Sequence, residues 1–310
     1  MDVGAGVMRR TLRAPAAFRG IGLFTAAAGS VRIVPGQRGS GVRFVRVDLD
    51  SSLAIPALVT HVFVDPRLPG RNTSIIADPT KPPSKENPAV ATIEHVMSAL
   101  AGLRVTDVVV EVTGAEVPIL DGSAGPIVEA ILGAGLVDVG AVPVLVLDRT
   151  IVVGESPGAT ITIEPSARME FEYRLDYGGD SLPEQRAAYV ADEAGAAETY
   201  AREIAPARTF CLAREAEMMR KAGLFGHVTT REMLVVGTDG RPIENTWRME
   251  HEASRHKLLD LIGDLALAGV AVRGRVRSDR GGHALNARAA AALRGWGEAE
   301  TKRRSDEETK

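Results

Sequence analysis

A single cysteine, Cys211, stands in a chain of 310 residues. No intrachain disulfide can form, and a cysteine-rich zinc site is excluded, so any bound metal must use histidine and carboxylate ligands. Aromatic residues make up only 4% of the chain, which leaves Val, Leu, Ile and Ala to fill its cores. No run reaches the roughly 18 apolar residues needed to span a bilayer. The longer ones, such as 141–147, have strand length. The opening residues, MDVGAGVMRRTLRAPAAF, lack the apolar stretch of a secretory signal. A basic excess is also missing: 37 Lys and Arg face 40 Asp and Glu, for a net charge of -3. That balance argues against a general nucleic-acid binder and leaves room for a local basic pocket that holds a phosphorylated small molecule. The expectation is a cytoplasmic, monomeric protein with no nucleic-acid partner and no transmembrane segment.

What is present suffices for two cores. Hydrophobic residues form 45% of the chain and charged residues 25%, as in ordinary globular proteins. The length favours two domains. Residues 29–34 and 41–47 are β-branched, flank a Pro-Gly turn, and are predicted as strands, with another over 55–64. A Pro- and Lys-rich loop covers 78–88. Thr92 is expected to cap a helix in which Ile93, Met97 and Leu100 recur at spacings of four and three. A strand is read over 106–112, and Ser123 is expected to cap a helix running to Leu132. The small, Gly-rich stretch 133–143 reads as a junction, dividing a first domain (1–142) from a second (143–297). The second opens on strands over 144–153, 160–164 and 169–177. It continues with a helix near 214–221, a short strand over 233–236, a long helix over 247–268 and a strand over 270–276. Residues 298–310 are nearly all charged and are expected to form a flexible, solvated tail.

The chemistry concentrates on the long helix. At 3.6 residues per turn, His256, Asp260 and Asp264 share one stripe, with Lys257 at its edge, about 100° from His256. Leu258, Leu261, Ile262 and Leu265 form an apolar face, which leaves little width for solvated charges. Ionisable groups on so apolar a helix need partners or a metal. His and Asp four residues apart can reach one cation, but a catalytic zinc normally needs three protein ligands. The dipeptide Glu94-His95 supplies candidates for a third ligand and an adjacent general base. The face of His95 carries Ser98, Ala99 and Gly102, small enough to admit a second element. His283 follows two glycines and is expected on a loop. It suits a general acid with Asp264 as its orienting partner, although an exposed loop histidine is the ordinary reading of such a residue. In Arg208-Thr209-Phe210, the Thr hydroxyl could donate to an oxyanion and the Phe could pack on substrate. A strand end with a core Phe explains the same residues.

Taken together, these pieces resemble the UDP-3-O-acyl-N-acetylglucosamine deacetylases of lipid A biosynthesis. The resemblance runs from about Arg10 to about Leu293. It is carried by the segment from Thr92 through Glu94-His95 to Leu103, by Glu116-Val117-Pro118-Ile119-Leu120-Asp121-Gly122-Ser123-Ala124, by Ala207-Arg208-Thr209-Phe210, by Arg255-His256-Lys257-Leu258-Leu259-Asp260, and by Gly282-His283-Ala284-Leu285-Asn286. It implies an α/β (α+β) fold of two similar two-layer sandwich domains with helices packed between the sheets. It also implies hydrolysis of the N-acetyl amide of an acylated UDP-amino sugar, with release of acetate. By the same resemblance, His95, His256 and Asp260 would bind Zn2+, or Fe2+ in its place. Glu94 would be the general base, His283 the general acid and Asp264 its orienting partner. Thr209 would stabilise the oxyanion, Lys257 would hold substrate or developing charge, and Phe210 would contact substrate. Three places depart from the family pattern. Its Gly-Leu-His-Thr-Gly is here Gly22-Leu23-Phe24-Thr25-Ala26. The glycine pair of its insert is replaced in Gly223-Leu224-Phe225-Gly226-His227-Val228-Thr229. Gly178-Gly179 stands where a His-Pro pair is usual. Two further readings therefore stand beside the first: a paralogue acting on another nucleotide amino sugar, and a non-catalytic relative that keeps the fold.

Overall fold

The structure, a computed structural model, describes residues 6–50, 53–65, 71–179 and 181–308. Two mixed sheets with the same connectivity carry the architecture. In the first, the strands run in the order Ala16–Ile21, Ala28–Pro35, Val108–Thr113, Val42–Arg46 and Ala54–Pro56. In the second the order is Ile151–Gly154, Thr160–Glu164, Val272–Asp279, Met169–Leu175 and Gln185–Val190, with Leu145–Val146 beside the start of Val272–Asp279. In each sheet the latest strand in the chain inserts centrally, antiparallel to one neighbour and parallel to the other. No residue-level repeat is readable, because such a sheet requires only alternation along its strands. Val108, Val110 and Val112 point inward in one central strand, and Val272, Gly274, Val276 and Ser278 do so in the other.

Among the described residues, six α-helices complete the fold: α1 (Glu94–Gly102), α2 (Gly125–Ala134), α3 (Ala196–Thr199), α4 (Ala213–Lys221), α5 (Glu252–Ala266) and α6 (His283–Glu308). Helix α1 packs on α5, α5 also covers the strands Met169–Leu175 and Gln185–Val190, and α6 covers Ile151–Gly154 and Thr160–Glu164. One buried core runs continuously from Val31 and Ile33 of the first sheet through Ile93 and Leu258 to Ile161 and Phe171 of the second. The small-residue face of α1 is where α5 lies. A Cβ on Gly263 would sit 2.2 Å from the Glu94 carbonyl oxygen, and Ser98 donates its hydroxyl to the Leu259 carbonyl at 2.7 Å. Only a glycine at position 263 lets the two backbones approach this closely.

Several local expectations change. Thr92 does not cap α1: its φ is +59° and its hydroxyl donates to Glu116 at 3.0 Å. Ser123 lies one residue before the N-cap of α2, Ala124, and accepts from the Gly125 N–H. The span 55–64 breaks into Ala54–Pro56, a 3-10 turn and Val62–Phe63. The Gly-rich stretch 133–143 contains a strand, Leu136–Val142, antiparallel to Val7–Leu12. His283 is not on a loop but opens α6. The charged residues from 298 onward continue that helix to Glu308 rather than forming an unstructured tail, and residues 309 and 310 lie outside the described ones. Arg303 and Arg304 bond to Glu300 at helical spacing, so the charges that mark a tail by composition serve here as helix-face pairs. Among the described residues, no helix is long and apolar enough to cross a membrane.

Candidate metal centre

Helix α5 is buried over most of its length, including His256, Asp260 and Asp264. Helix α1, buried almost all round, brings Glu94 and His95 against it. His95 Nε2 lies 3.7 Å and His256 Nε2 3.5 Å from Asp260 Oδ1, and the two imidazoles meet edge-on with centroids 5.2 Å apart. These three residues form a set that could hold a metal ion, with one ligand atom of each within 4.8 Å of the others. Two features of the chain fit that use. His256 Nδ1 is 3.1 Å from the Ala207 carbonyl, which can only accept, so the ring proton sits on Nδ1 and the Nε2 lone pair faces the cluster. Asp260 Oδ1 is buried with no hydrogen-bond partner, although a buried carboxylate oxygen normally has one.

The charges agree with this arrangement. Burial lowers the pKa of His95, and it takes His256 down to about 3, so both rings are neutral and able to ligate. Burial opposes ionisation of Asp260, but the positive charges beside it, the Lys257 ammonium and His283, hold its carboxyl well below the usual range. Lys257 Nζ donates to Asp260 Oδ2 at 2.8 Å. Burial would lower the Lys257 pKa, and the Asp260 charge reverses this.

Beside the trio, His283 pairs with Asp264. His283 Nδ1 is 2.9 Å from Asp264 Oδ2, and its Nε2 is 3.8 Å from Asp260 Oδ2. Burial works against charge on His283, but the Asp264 carboxylate and its hydrogen bond outweigh it, with Asp260 and Glu94 adding to them, and raise the pKa to about 9. Glu94 is pushed up to about 8, chiefly by burial. Phe210 is buried with its ring 6.5 Å from that of His256 and 6.3 Å from that of Tyr177. Thr209 is held one residue earlier by its N–H bond to Gly122 O at 2.7 Å. At Gly122, with φ +82°, a side chain would strike the Glu232 carbonyl.

Sequence reasoning missed the groups that hold these residues. Arg208 and Glu252 form a buried ion pair at 2.7 Å that fixes the segment before Thr209 to the start of α5. Glu116 accepts from Phe24 N, Thr25 N, the Thr25 hydroxyl and Thr92, anchoring the loop after the strand Ala16–Ile21. Thr73 and Asn286 both bond Asp264. Asn286 and Glu116 do lie inside recognised motifs, but nothing in their spacing revealed a partner. Two of the three departures from the family pattern come together, those around Phe24 and in the segment 223–229. Phe24 packs on Phe225 with centroids 5.6 Å apart, Val228 is buried in the same cluster, and His227 Nε2 lies 3.0 Å from Gly22 O.

An α+β scaffold whose two halves close on a buried His-His-Asp set and a His-Asp pair is that of a hydrolase built around a metal site. Residues 9–294 match the model of the UDP-3-O-acyl N-acetylglycosamine deacetylase family. The chain is 34% identical to a UDP-3-O-acyl-N-acetylglucosamine deacetylase of Geobacter sp. (strain M21), over 90% of this chain and 87% of that protein. It is 33% identical to one of Trichormus variabilis, over 90% and 95%, and 31% identical to one of Brucella melitensis biotype 2, over 92% and 94%. The chain belongs to this family of enzymes.

Proposed function

We propose that this chain hydrolyses the N-acetyl amide of UDP-3-O-acyl-N-acetylglucosamine, releasing acetate and a free 2-amino sugar nucleotide, in lipid A biosynthesis, and that it does so in the cytoplasm as a Zn2+ enzyme. The observation that carries the metal reading is Asp260 Oδ1, buried and unpartnered between two neutral imidazoles. His95, His256 and Asp260 would hold the ion, and the same donors suit Fe2+. A bound zinc ion supplies Lewis acidity, polarising a carbonyl and bringing the pKa of water towards about 7.

The chain's own groups do the rest. Glu94 takes a proton from the attacking water; a cation at His95 favours its ionised form against the burial that raises its pKa. His283 is protonated at neutral pH and keeps Nδ1 on Asp264, which leaves Nε2 to deliver a proton to the amine nitrogen as the C–N bond breaks. Thr209 donates to the oxygen on which charge develops, Lys257 adds positive charge beside it, and Phe210 packs against substrate.

Acetate release from the acylated UDP-sugar is the direct assay. Chelation should abolish it, and substoichiometric zinc should restore part of it. Turnover at the normal rate by fully demetallated protein would overturn the metal mechanism. The packing of Phe24 on Phe225, where the family pattern has a histidine, favours one second reading, a different nucleotide amino sugar as substrate. A panel of acylated and unacylated UDP-amino sugars separates the two by kcat/KM.

A further inference from the structure

We infer that Thr73 is a positioning residue that fixes the base and the acid of this site relative to each other, with Asn286 completing its grip on Asp264. The inference rests on the roles proposed above for Glu94, Asp264 and His283. Thr73 is 3% exposed and immediately precedes the short strand Ser74–Ile76. All three of its polar groups are engaged. Its N–H donates to Glu94 Oε2 at 3.0 Å, its carbonyl accepts from Ile93 N at the start of α1 at 3.1 Å, and its hydroxyl donates to Asp264 Oδ1 at 2.6 Å. The hydroxyl oxygen also lies 3.2 Å from His283 Nδ1. Asn286 Nδ2 donates to Asp264 Oδ2 at 2.8 Å, the oxygen that faces His283.

The consequence is geometric. A carboxylate bonded through one oxygen can rotate about its last torsion, a broad and weakly restrained one. Asp264 is held through both, by Thr73 on Oδ1 and by Asn286 and His283 on Oδ2. Its plane is therefore fixed, and with it the imidazole ring and the direction of Nε2. The same Thr73 fixes one oxygen of Glu94 through the backbone. One residue of the first half thus sets the distance between the group that takes the proton and the group that gives one. Small misplacements at a reacting centre can cost on the order of 100-fold.

Thr73→Val removes the hydroxyl but keeps the shape and the N–H to Glu94. Its kcat should fall about 10- to 100-fold, with KM within about 2-fold of wild type and zinc per chain unchanged. Thr73→Ser should restore the rate to within about 3-fold. On an Asp264→Ala background, Thr73→Val should cost nothing further, because its effect passes through Asp264. A wild-type rate for Thr73→Val, a Thr73→Ser as slow as Thr73→Val, or multiplicative losses in the double variant would each overturn the inference. If Thr73→Val does not fold, Thr73→Ala and Asn286→Ala, each alone and on Asp264→Ala, decide by the same criteria. An Asp264→Ala that turns over at the wild-type rate would sink the acid–base pair itself, whereas a slow Asp264→Ala with a fast Thr73→Val sinks only the clamp.

Discussion

Two of the buried carboxylates of helix α5, Glu252 and Asp260, lie about two turns apart and are finished differently. Glu252 is saturated. Arg208 N and Nε donate to its Oε1 at 3.1 and 2.7 Å, and Arg208 Nη2 and Arg248 N donate to its Oε2 at 3.1 and 2.6 Å. Asp260 is open, with Lys257 on Oδ2 and nothing on Oδ1. Both are nearly inaccessible, so burial alone does not tell them apart. The distinction lies in the hydrogen-bond account. A buried charge kept for structure normally has its lone pairs filled by the chain, because an unfilled one carries the full cost of desolvation; Asp192, ion-paired to Arg273 through Oδ2 with Oδ1 unpartnered, departs from this away from the site. A buried charge kept for a ligand leaves a lone pair aimed at the place where the ligand sits. Glu94 belongs with Asp260: among the described residues, the donor to its carboxylate is Thr73 N. Glu116 belongs with Glu252.

The largest effect should come from the open carboxylate. Asp260→Asn should leave the protein folded and take activity below about 0.1% of wild type, because the several kcal/mol supplied by a bound cation are lost. Zinc per chain, measured on the purified variant, should fall with it. A variant that kept full metal occupancy would remove Asp260 from the ligand set. Glu94→Ala should retain the metal yet lose about 10²- to 10⁴-fold in kcat, the usual cost of a lost general base. An empty site in that variant would make Glu94 a ligand instead.

The saturated carboxylate should show the opposite profile. Glu252→Ala strands Arg208 in the interior and should cost about 3–5 kcal/mol of stability, read as a lower denaturant midpoint. Zinc per chain in the folded fraction should stay unchanged. If Glu252→Ala lost its metal while keeping its midpoint, filled lone pairs would no longer separate structural from functional charge.

The comparison also explains what was legible in the sequence. The stripe of His256, Asp260 and Asp264 and the pair Glu94-His95 stood out because a helix repeats locally and its period can be counted. Their joining depended on the ordered motifs, since His95 and Asp260 lie on different helices. The filled carboxylates were not legible. Glu116 is satisfied from residues 24, 25 and 92, and Thr73 meets Asp264 across 191 positions of sequence. Composition misled at both ends of α6. Two glycines before His283 suggested a loop, and a run of charges after residue 297 suggested a tail, whereas one helix spans both. Thr92 looked like a cap because its hydroxyl type suits one, yet its positive φ and the pull of Glu116 turn it elsewhere.

A pH profile probes the pair adjoining the open site. His283 is held up to about 9 by Asp264, so its acidic form is present below that pH and is lost as pH rises through it. The basic limb of kcat/KM should lie at or below about 9, the cation beside it pulling the limb down. Asp264→Asn removes the charge that raises the pKa and should move the limb down by about 1 to 3 pH units. The rate penalty should therefore be greater at pH 8.5 than at pH 6, tested as about unit steps across the profile. A limb unmoved in Asp264→Asn would clear His283 of the role of acid.

The smallest effect should belong to Glu116, and it is the sharpest check on the comparison, because this carboxylate is filled entirely by neutral donors. Backbone N–H groups of Phe24 and Thr25 and hydroxyls of Thr25 and Thr92 all point at it. Glu116→Gln preserves shape and volume but turns one acceptor into an NH2 that faces N–H groups it cannot accept from. At least one donor is left without a partner in the interior, at a cost of about 1–3 kcal/mol. The loop it anchors packs Phe24 on Phe225, so the strain falls on the contact between that loop and the segment around His227. The denaturant midpoint should drop accordingly, while zinc per chain and kcat stay within about 2-fold of wild type, since no group of the metal site is bonded to Glu116. A loss of metal or a kcat reduced by 10-fold or more, with little change in stability, would place Glu116 among the open carboxylates and break the rule drawn from Glu252 and Asp260.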